Sequence, residues 1–239
     1  MDNKNELNDF MQNFDERSNK KQIKKMRRRQ ATFEFVLKSS YVLKRLMDIL
    51  FTLIFLIVFS PIFLFTALAI YVENPGSIFY SQTRVGENGQ EFEFFKFRSM
   101  VMNADKMKDQ LLQQNESGDG VIFKMKRDPR ITRVGRFIRR FSIDELPQLL
   151  NVLKGDMSLV GPRPPLPREV AQYSIADHKR LDVIPGITCI WQVSGRSDIP
   201  FEEQVELDKQ YIREYQGIWS DIALLLRTVG AVFSGNGAY

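Results

Sequence analysis

The run Ile49–Val72, reading ILFTLIFLIVFSPIFLFTALAIYV, constrains this chain more than any other stretch, with no charge in about 24 residues. A transmembrane helix needs about 20 apolar residues to match a hydrocarbon core of about 30 Å, so the run passes the length test. It lies too far into the chain for an ordinary signal peptide. A core helix of a globular domain would rarely be apolar on every face for so long. Ser60-Pro61 interrupts the run near its middle. Proline lacks an N–H and its ring clashes with the carbonyl four residues earlier, so a helix kinks or breaks there. The Ser60 hydroxyl can bond a freed carbonyl and make the kink tolerable in lipid. Each half of about 12 residues reaches about 18 Å. That is too short to cross, but long enough to enter one leaflet and return. Lys44 and Arg45 flank the entry, and Arg84, Lys96, Arg98, Lys124, Lys126 and Arg127 follow the exit. Positive charge on both sides fits both ends lying in the cytoplasm. A kinked but spanning helix is the alternative.

Composition narrows the chemistry. The formal charge of +5 and pI near 9.3 point to anionic partners: nucleic acid, lipid headgroups or phosphorylated substrates. Cys189 is the only cysteine and His178 the only histidine. An intrachain disulfide, a thiolate zinc site and any multi-histidine metal site or triad are thereby excluded. Carboxylates, Lys, Arg, Tyr, Ser and a hard metal ion remain.

Before the apolar run, residues 1–19 are polar, mixed in charge and poor in apolar anchors, which predicts disorder. Lys20, Lys21, Lys24, Lys25, Arg27, Arg28 and Arg29 then crowd into ten positions. Such a run could be a solvated charge cluster or a nucleic-acid arm. Its place shortly before an apolar segment favours a membrane surface, where anionic lipids attract each cation by about 1 kcal/mol. After Asn74-Pro75-Gly76, the segments Ser77–Arg84 and Glu91–Arg98 read as a hairpin around a Gly86–Gly89 turn. Helices are expected at Asn103–Gln114, Arg133–Arg140 (with a basic face), Leu146–Leu153 (closed at Gly155), Glu169–Leu181, Phe201–Tyr215 and Ile218–Phe233, with a loop at Asn115–Gly120.

The stretch Ser142–Pro164, SIDELPQLLNVLKGDMSLVGPRP, carries the chemistry. Ser142 and Glu145 fit a capping box, a purely structural role for Glu145. Asp144 falls in the same first turn, where the helix dipole favours negative charge. A carboxylate ionised there could be a nucleophile toward phosphorus or a hard ligand for Mg2+. Arg163, held between Pro162 and Pro164, has few backbone alternatives, and its guanidinium can grip a phosphate bidentately. A surface arginine in a structural turn is the competing reading. Arg136, Arg139 and Arg140 could add a second cationic face. Lys96-Phe97-Arg98 and Asp128-Pro129-Arg130 are further phosphate-binding or salt-bridge candidates.

From about Tyr41 onward the sequence resembles the bacterial sugar transferase family, the monotopic phosphoglycosyl transferases that start glycan assembly on a polyprenol carrier. The motifs that carry the resemblance are KRLMDI (Lys44–Ile49), Ser60-Pro61, QTRVG (Gln82–Gly86), KFRSM (Lys96–Met100), DPRITRVGRFIRR (Asp128–Arg140), DELPQLLNVLKGDMSLVGPRP and PGITCIWQVSGR (Pro185–Arg196). So many ordered matches exclude coincidence.

The resemblance implies an α/β fold, mostly α with a small β-hairpin, in which a compact cytoplasmic catalytic domain with amphipathic interfacial helices joins a re-entrant membrane hairpin bent at Ser60-Pro61. The expected divisions are a polybasic, disordered arm over 1–40, the hairpin over 41–73 and the catalytic domain over 74–239. It implies that Asp144 is the nucleophile of an Asp-Glu dyad with Glu145, that both lie near Mg2+, and that Arg139 and Arg163 engage phosphate, with Lys96, Arg98 and Arg196 as further substrate-binding positions. The implied reaction moves a sugar-1-phosphate from a UDP-sugar to undecaprenyl phosphate and releases UMP, at the bacterial plasma (inner) membrane and without nucleic acid. The ending GNGAY (Gly235–Tyr239) and the ITCIWQVSGR variant favour glucose or galactose. Larger members carry extra transmembrane helices in front, so a short, minimal form is expected. The apolar Ile218–Phe233 could cover either a core or a homo-oligomer partner.

Overall fold

A computed structural model of the chain describes residues 2–104, 106, 107, 125, 128–195 and 199–234. Packing divides the chain into a first unit ending at Leu46 and a second beginning at Met47. Helix α1 is assigned from Asp2 to Glu73. That assignment includes the first residues of the arm, for which composition predicts disorder. The chain holds no proline before Pro61 and no glycine before Gly76, so nothing in the arm breaks a helix. Within the first unit Lys24, Lys25, Arg27, Arg28 and Arg29 are all exposed.

In the second unit the helical assignment continues through Pro61 without interruption. Pro61 cannot donate to the carbonyl of Ile57, four residues back, and the Ser60 hydroxyl takes that carbonyl instead at 2.8 Å. The helix shows two faces. Phe51, Phe55 and Leu56 pack on a cluster built around Phe94, Leu149, Val152, Met157 and Val160. Phe63 and Ala67 pack on a second cluster formed by Ile70, Phe97 and Ile138. On the other side Leu50, Leu53, Ile57, Val58, Leu64, Phe65 and Leu68 lie exposed. This helix is long and apolar enough to cross a membrane.

The hairpin forms where alternation and the glycine turn place it. Strands β1 (Phe79–Val85) and β2 (Glu91–Phe97) pair antiparallel, Phe79 opposite Phe97 and Val85 opposite Glu91. Helix α2 (Arg133–Arg140) follows, capped by Thr132, whose side-chain oxygen accepts from the Gly135 amide at 2.8 Å. Helix α3 (Gln148–Lys154) starts behind Pro147 and stops at Gly155, whose φ of 100° suits glycine.

A second, unexpected sheet joins β3 (Ser158–Val160) to β4 (Gly186–Thr188) in parallel. Its strands come so close that a Cβ on Gly186 would stand 2.0 Å from the Gly161 nitrogen. The remaining helices are α4 (Pro167–Val170), α5 (Ile190–Ser194), α6 (Phe201–Gln210) and α7 (Ile218–Ser234). The single helix expected over 169–181 is instead α4 and a separate 3-10 turn, Asp177–Leu181. Arg196, the loop at 115–120, most of the helix expected at 103–114 and the ending 235–239 lie outside the described residues.

Candidate active site

Asp144 and Glu145 occupy a single 3-10 turn, Ile143–Glu145, between α2 and α3. The expected capping box does not form. Ser142 adopts the left-handed region at φ 53°, and its side chain makes no capping bond. Pro147 displaces the start of α3 to Gln148, so Glu145 is freed from the capping role. Its carboxylate instead accepts from Lys96 Nζ of β2 at 2.7 Å. The same Nζ stands 3.8 Å from Asp144 Oδ2. Lys96 also lies over the Phe94 ring, 5.4 Å from its centroid.

Asp144 is buried, and that burial pushes its pKa up to about 6. Lys96 works against the shift, Glu145 adds to it, and Arg139 opposes it again. The turn therefore holds a carboxylate that is ionised near neutrality yet poorly solvated, and so reactive toward an electrophile.

Arg139 is half-buried near the end of α2, and its charge acts on both Asp144 and Asp128. Arg136 and Arg140 are exposed. Asp128 and Arg130 pair with each other, Arg130 Nη2 donating to Oδ2 at 2.6 Å and Nε to Oδ1 at 2.9 Å. Burial alone would raise the Asp128 pKa, but the Arg130 hydrogen bonds hold it below the usual carboxylate range.

Arg163 is fixed from several sides. Pro162 and Pro164 are buried around it, the Pro162 carbonyl accepts from the Gly186 amide at 2.9 Å, and the guanidinium lies 5.8 Å from the Trp191 ring. Beneath it runs a buried ion pair in which Arg180 Nη2 donates to Asp208 Oδ2 at 2.5 Å. The same nitrogen reaches the Arg163 carbonyl at 3.4 Å, and Nη1 donates to the Tyr173 hydroxyl.

Arg98, expected as a substrate-binding position, is engaged within the chain. Its guanidinium donates to the Asn74 carbonyl and reaches Met102 Sδ, tying down the segment just after α1. The sequence reading also missed Arg84 as a site residue. That side chain is buried, donates to the Pro164 carbonyl at 3.0 Å and to Gln82 Oε1 at 3.1 Å, and lies 5.2 Å from the Phe94 centroid. Burial lowers its pKa to about 10, Arg163 pushes it further down, and Glu169 and Glu145 push it back up. Arg84 thus links, electrically, the carboxylate pair to the Arg163 loop. The available signal is its place two residues after Gln82, on the hairpin face shared with Phe94 and Lys96.

Two adjacent carboxylates with Lys96 and Arg139 acting on them, and with Arg84 between them and Arg163, suit a substrate that brings negative charge and accepts a carboxylate nucleophile. Among the described residues no cluster of three or more potential metal ligands occurs. Asp144 and Glu145 still offer two hard oxygen ligands, the number that Mg2+ takes when phosphates and water complete its shell. The residues present fit that ion.

The sequence model of the family described as "Bacterial sugar transferase" matches residues 39–235. A "Galactosyl transferase CpsE" of Streptococcus agalactiae serotype III (strain NEM316) is 47% identical over 87% of this chain and 46% of its own length. A "UDP-glucose:undecaprenyl-phosphate glucose-1-phosphate transferase" of Escherichia coli (strain K12) is 40% identical over 83% of the chain and 42% of its own. An "Exopolysaccharide production protein ExoY" of Sinorhizobium fredii (strain NBRC 101917 / NGR234) is 38% identical over 82% of the chain and 88% of its own. The chain thus spans less than half the length of the first two of these relatives.

Proposed function

The chain belongs to the bacterial sugar transferase family, and from that premise we propose that it moves a sugar-1-phosphate from a UDP-sugar to undecaprenyl phosphate and releases UMP. The observation that carries this reading is the buried Asp144, with a pKa near 6 and Lys96 and Arg139 beside it. At pH 7 about nine-tenths of such a group is ionised, so no general base is needed. An Asp144 oxygen attacks the sugar-bearing phosphorus, the bond from that phosphorus to the bridging oxygen breaks, and UMP departs with the electron pair. The carboxyl then holds the sugar phosphate as an acyl phosphate ester. A phosphate oxygen of the polyprenyl carrier next attacks the same phosphorus and expels the carboxylate.

Arg163 and Arg139 grip the diphosphate and offset the charge that gathers on the leaving group. Lys96 keeps Asp144 ionised and holds Glu145 beside it. Mg2+ bound by Asp144 and Glu145 would neutralise diphosphate charge and make UMP a better leaving group. Positioning and charge stabilisation supply most of the rate in such transfers.

The exposed apolar face of α1 sits in lipid, where the acceptor's chain lies. Asp48 and Glu73, at the two ends of the apolar run, both bond to the same domain. That supports an anchor that enters and leaves on the cytoplasmic side, bent at Ser60-Pro61, over one that spans. The names of these relatives favour galactose or glucose as the sugar.

The test is UMP release from a panel of UDP-sugars, with and without undecaprenyl phosphate. Asp144→Asn is expected to abolish both turnover and the UMP burst seen without acceptor, and labelled sugar phosphate should be trapped on wild-type protein alone. Full activity in Asp144→Asn would remove the nucleophile assignment. Turnover without any trapped label would instead favour direct transfer.

A further inference from the structure

Asp48 immediately precedes the apolar run, and Glu73 immediately follows it. A carboxylate at the rim of a lipid-facing helix is unfavourable unless donors reach its oxygens. Here the donors are backbone amides of the catalytic domain. Asp48 is 2% exposed and accepts from the Leu159 amide at 3.1 Å. Leu159 is the central residue of β3, and Arg163 follows it by four positions, just past the Gly161–Gly186 crossing.

At the other end Glu73 accepts from the amides of Arg133 at 2.7 Å and Val134 at 2.9 Å. Those are the first two amides of α2, which the first turn of a helix leaves unpaired. Thr132 takes the third, from Gly135. A carboxylate also complements the positive end of the helix dipole there. Six residues beyond Arg133, α2 presents Arg139 to the field of Asp144. Arg98 adds a tie at the same end, through the Asn74 carbonyl.

Resting on the phosphoryl-transfer reading above, we propose that Asp48 and Glu73 are positioning residues. They register the two ends of the membrane helix on β3 and α2, and so set the separation at which Arg163 and Arg139 receive the diphosphate. Neither carboxylate bonds Asp144 or Glu145. Both act through backbone amides, and the elements they hold each lead directly to one arginine of the proposed clamp. The membrane helix is then the spacer between the two halves of the phosphate site.

The experiment uses the full chain in phospholipid nanodiscs, with UMP release measured over a range of UDP-glucose and UDP-galactose concentrations. Glu73→Ala should raise KM for the nucleotide sugar about tenfold, the scale of losing one or two hydrogen bonds that orient a charged group, with kcat within about threefold of wild type. Glu73→Gln, which keeps one acceptor oxygen, should fall between the two. Asp48→Asn should restore most of what Asp48→Ala loses. Glu73→Ala combined with Arg139→Lys should cost less than the product of the two single effects, since both disturb one clamp.

Asp48 is buried, and Asp48→Ala can fail to fold. Glu73 is exposed, and its variants decide the matter alone. An unchanged KM, a loss confined to kcat, or single effects that simply multiply would overturn the proposal. Absence of UMP release by wild-type protein with every UDP-sugar would strike the proposed function instead.

Discussion

Replacing Lys96 by methionine keeps the unbranched stem that lies over Phe94 and removes only the charge. The Nζ to Asp144 separation is 3.8 Å. Coulomb's law at an effective dielectric of about 20 gives about 4 kcal/mol for that pair, or about three pKa units. Lys96 is about one-fifth exposed and shares its charge with Glu145 at 2.7 Å, so about half of that is expected to act on Asp144. Loss of a cation favours the protonated acid, and the Asp144 pKa should climb from about 6 to about 7.5.

The ionised fraction at pH 7 then drops from about nine-tenths to about one-quarter, a fourfold loss of kcat/KM that should vanish by about pH 9. The assay is UMP release from pH 5 to 9 for both proteins. A deficit equal at every pH would refute the reasoning and make Lys96 a substrate contact. So would an acid limb that moved downward. Stability has the opposite sign from activity. A folded-state pKa above the unfolded value contributes stability that is present below about pH 4 and lost as pH rises through about 6. For Asp144 that loss is on the order of 3 kcal/mol.

Asn151 is fully buried, donates to the Glu93 carbonyl at 2.6 Å and accepts from the Phe95 amide at 3.1 Å. Asn151→Ala leaves both backbone groups of β2 unpaired and should cost about 3 kcal/mol, read as a lower denaturant midpoint with an unchanged m-value. An effect under about 1 kcal/mol would show that water replaces the side chain. In the first unit, Met26→Cys labelled with an environment-sensitive dye should shift to the blue in nanodiscs containing phosphatidylglycerol but not in neutral ones. That response should disappear when Lys24, Lys25, Arg27, Arg28 and Arg29 are changed to Gln, because each cation near an anionic surface contributes about 1 kcal/mol. An equal response in neutral discs, or a stronger one to added RNA, would count against a lipid role for the arm.

What could be read in advance was whatever short-range chemistry controls. The alternation of EFEFFKFR around a glycine turn produced β1 and β2, the spacing in RVGRFIRR produced α2, and Gly155 closed α3. The freed carbonyl at Ile57 was foreseeable from Pro61, and Ser60 takes it. Roles set by partners far along the chain were less legible. Ser142 and Glu145 satisfy a local capping pattern, yet Lys96, 49 positions away, draws Glu145 off. Arg98 stands two residues after Lys96 on the same strand pattern but serves the exit of α1. The parallel contact of β3 with β4 depends on two glycines that reveal nothing until their backbones meet. Arg84 and Asp48 left a fainter trace: a charge amid alternating apolar residues, or at the rim of an apolar run, must have a partner somewhere.

Helix α1 also forms a wall of both apolar clusters, with Phe63 5.4 Å from Phe97 and Ile70 only 3% exposed. Trimming the chain at residue 74 to obtain a soluble domain would open that wall. Phe97 and Ile138, each 2% exposed, would face water, and each large side chain so uncovered costs about 2 kcal/mol. The trimmed protein should aggregate, and an unrelated membrane helix grafted in front should not rescue it. For crystallisation or ligand screening, the smallest sensible unit of this protein begins at about Met47, with its exposed apolar side kept in detergent or bilayer.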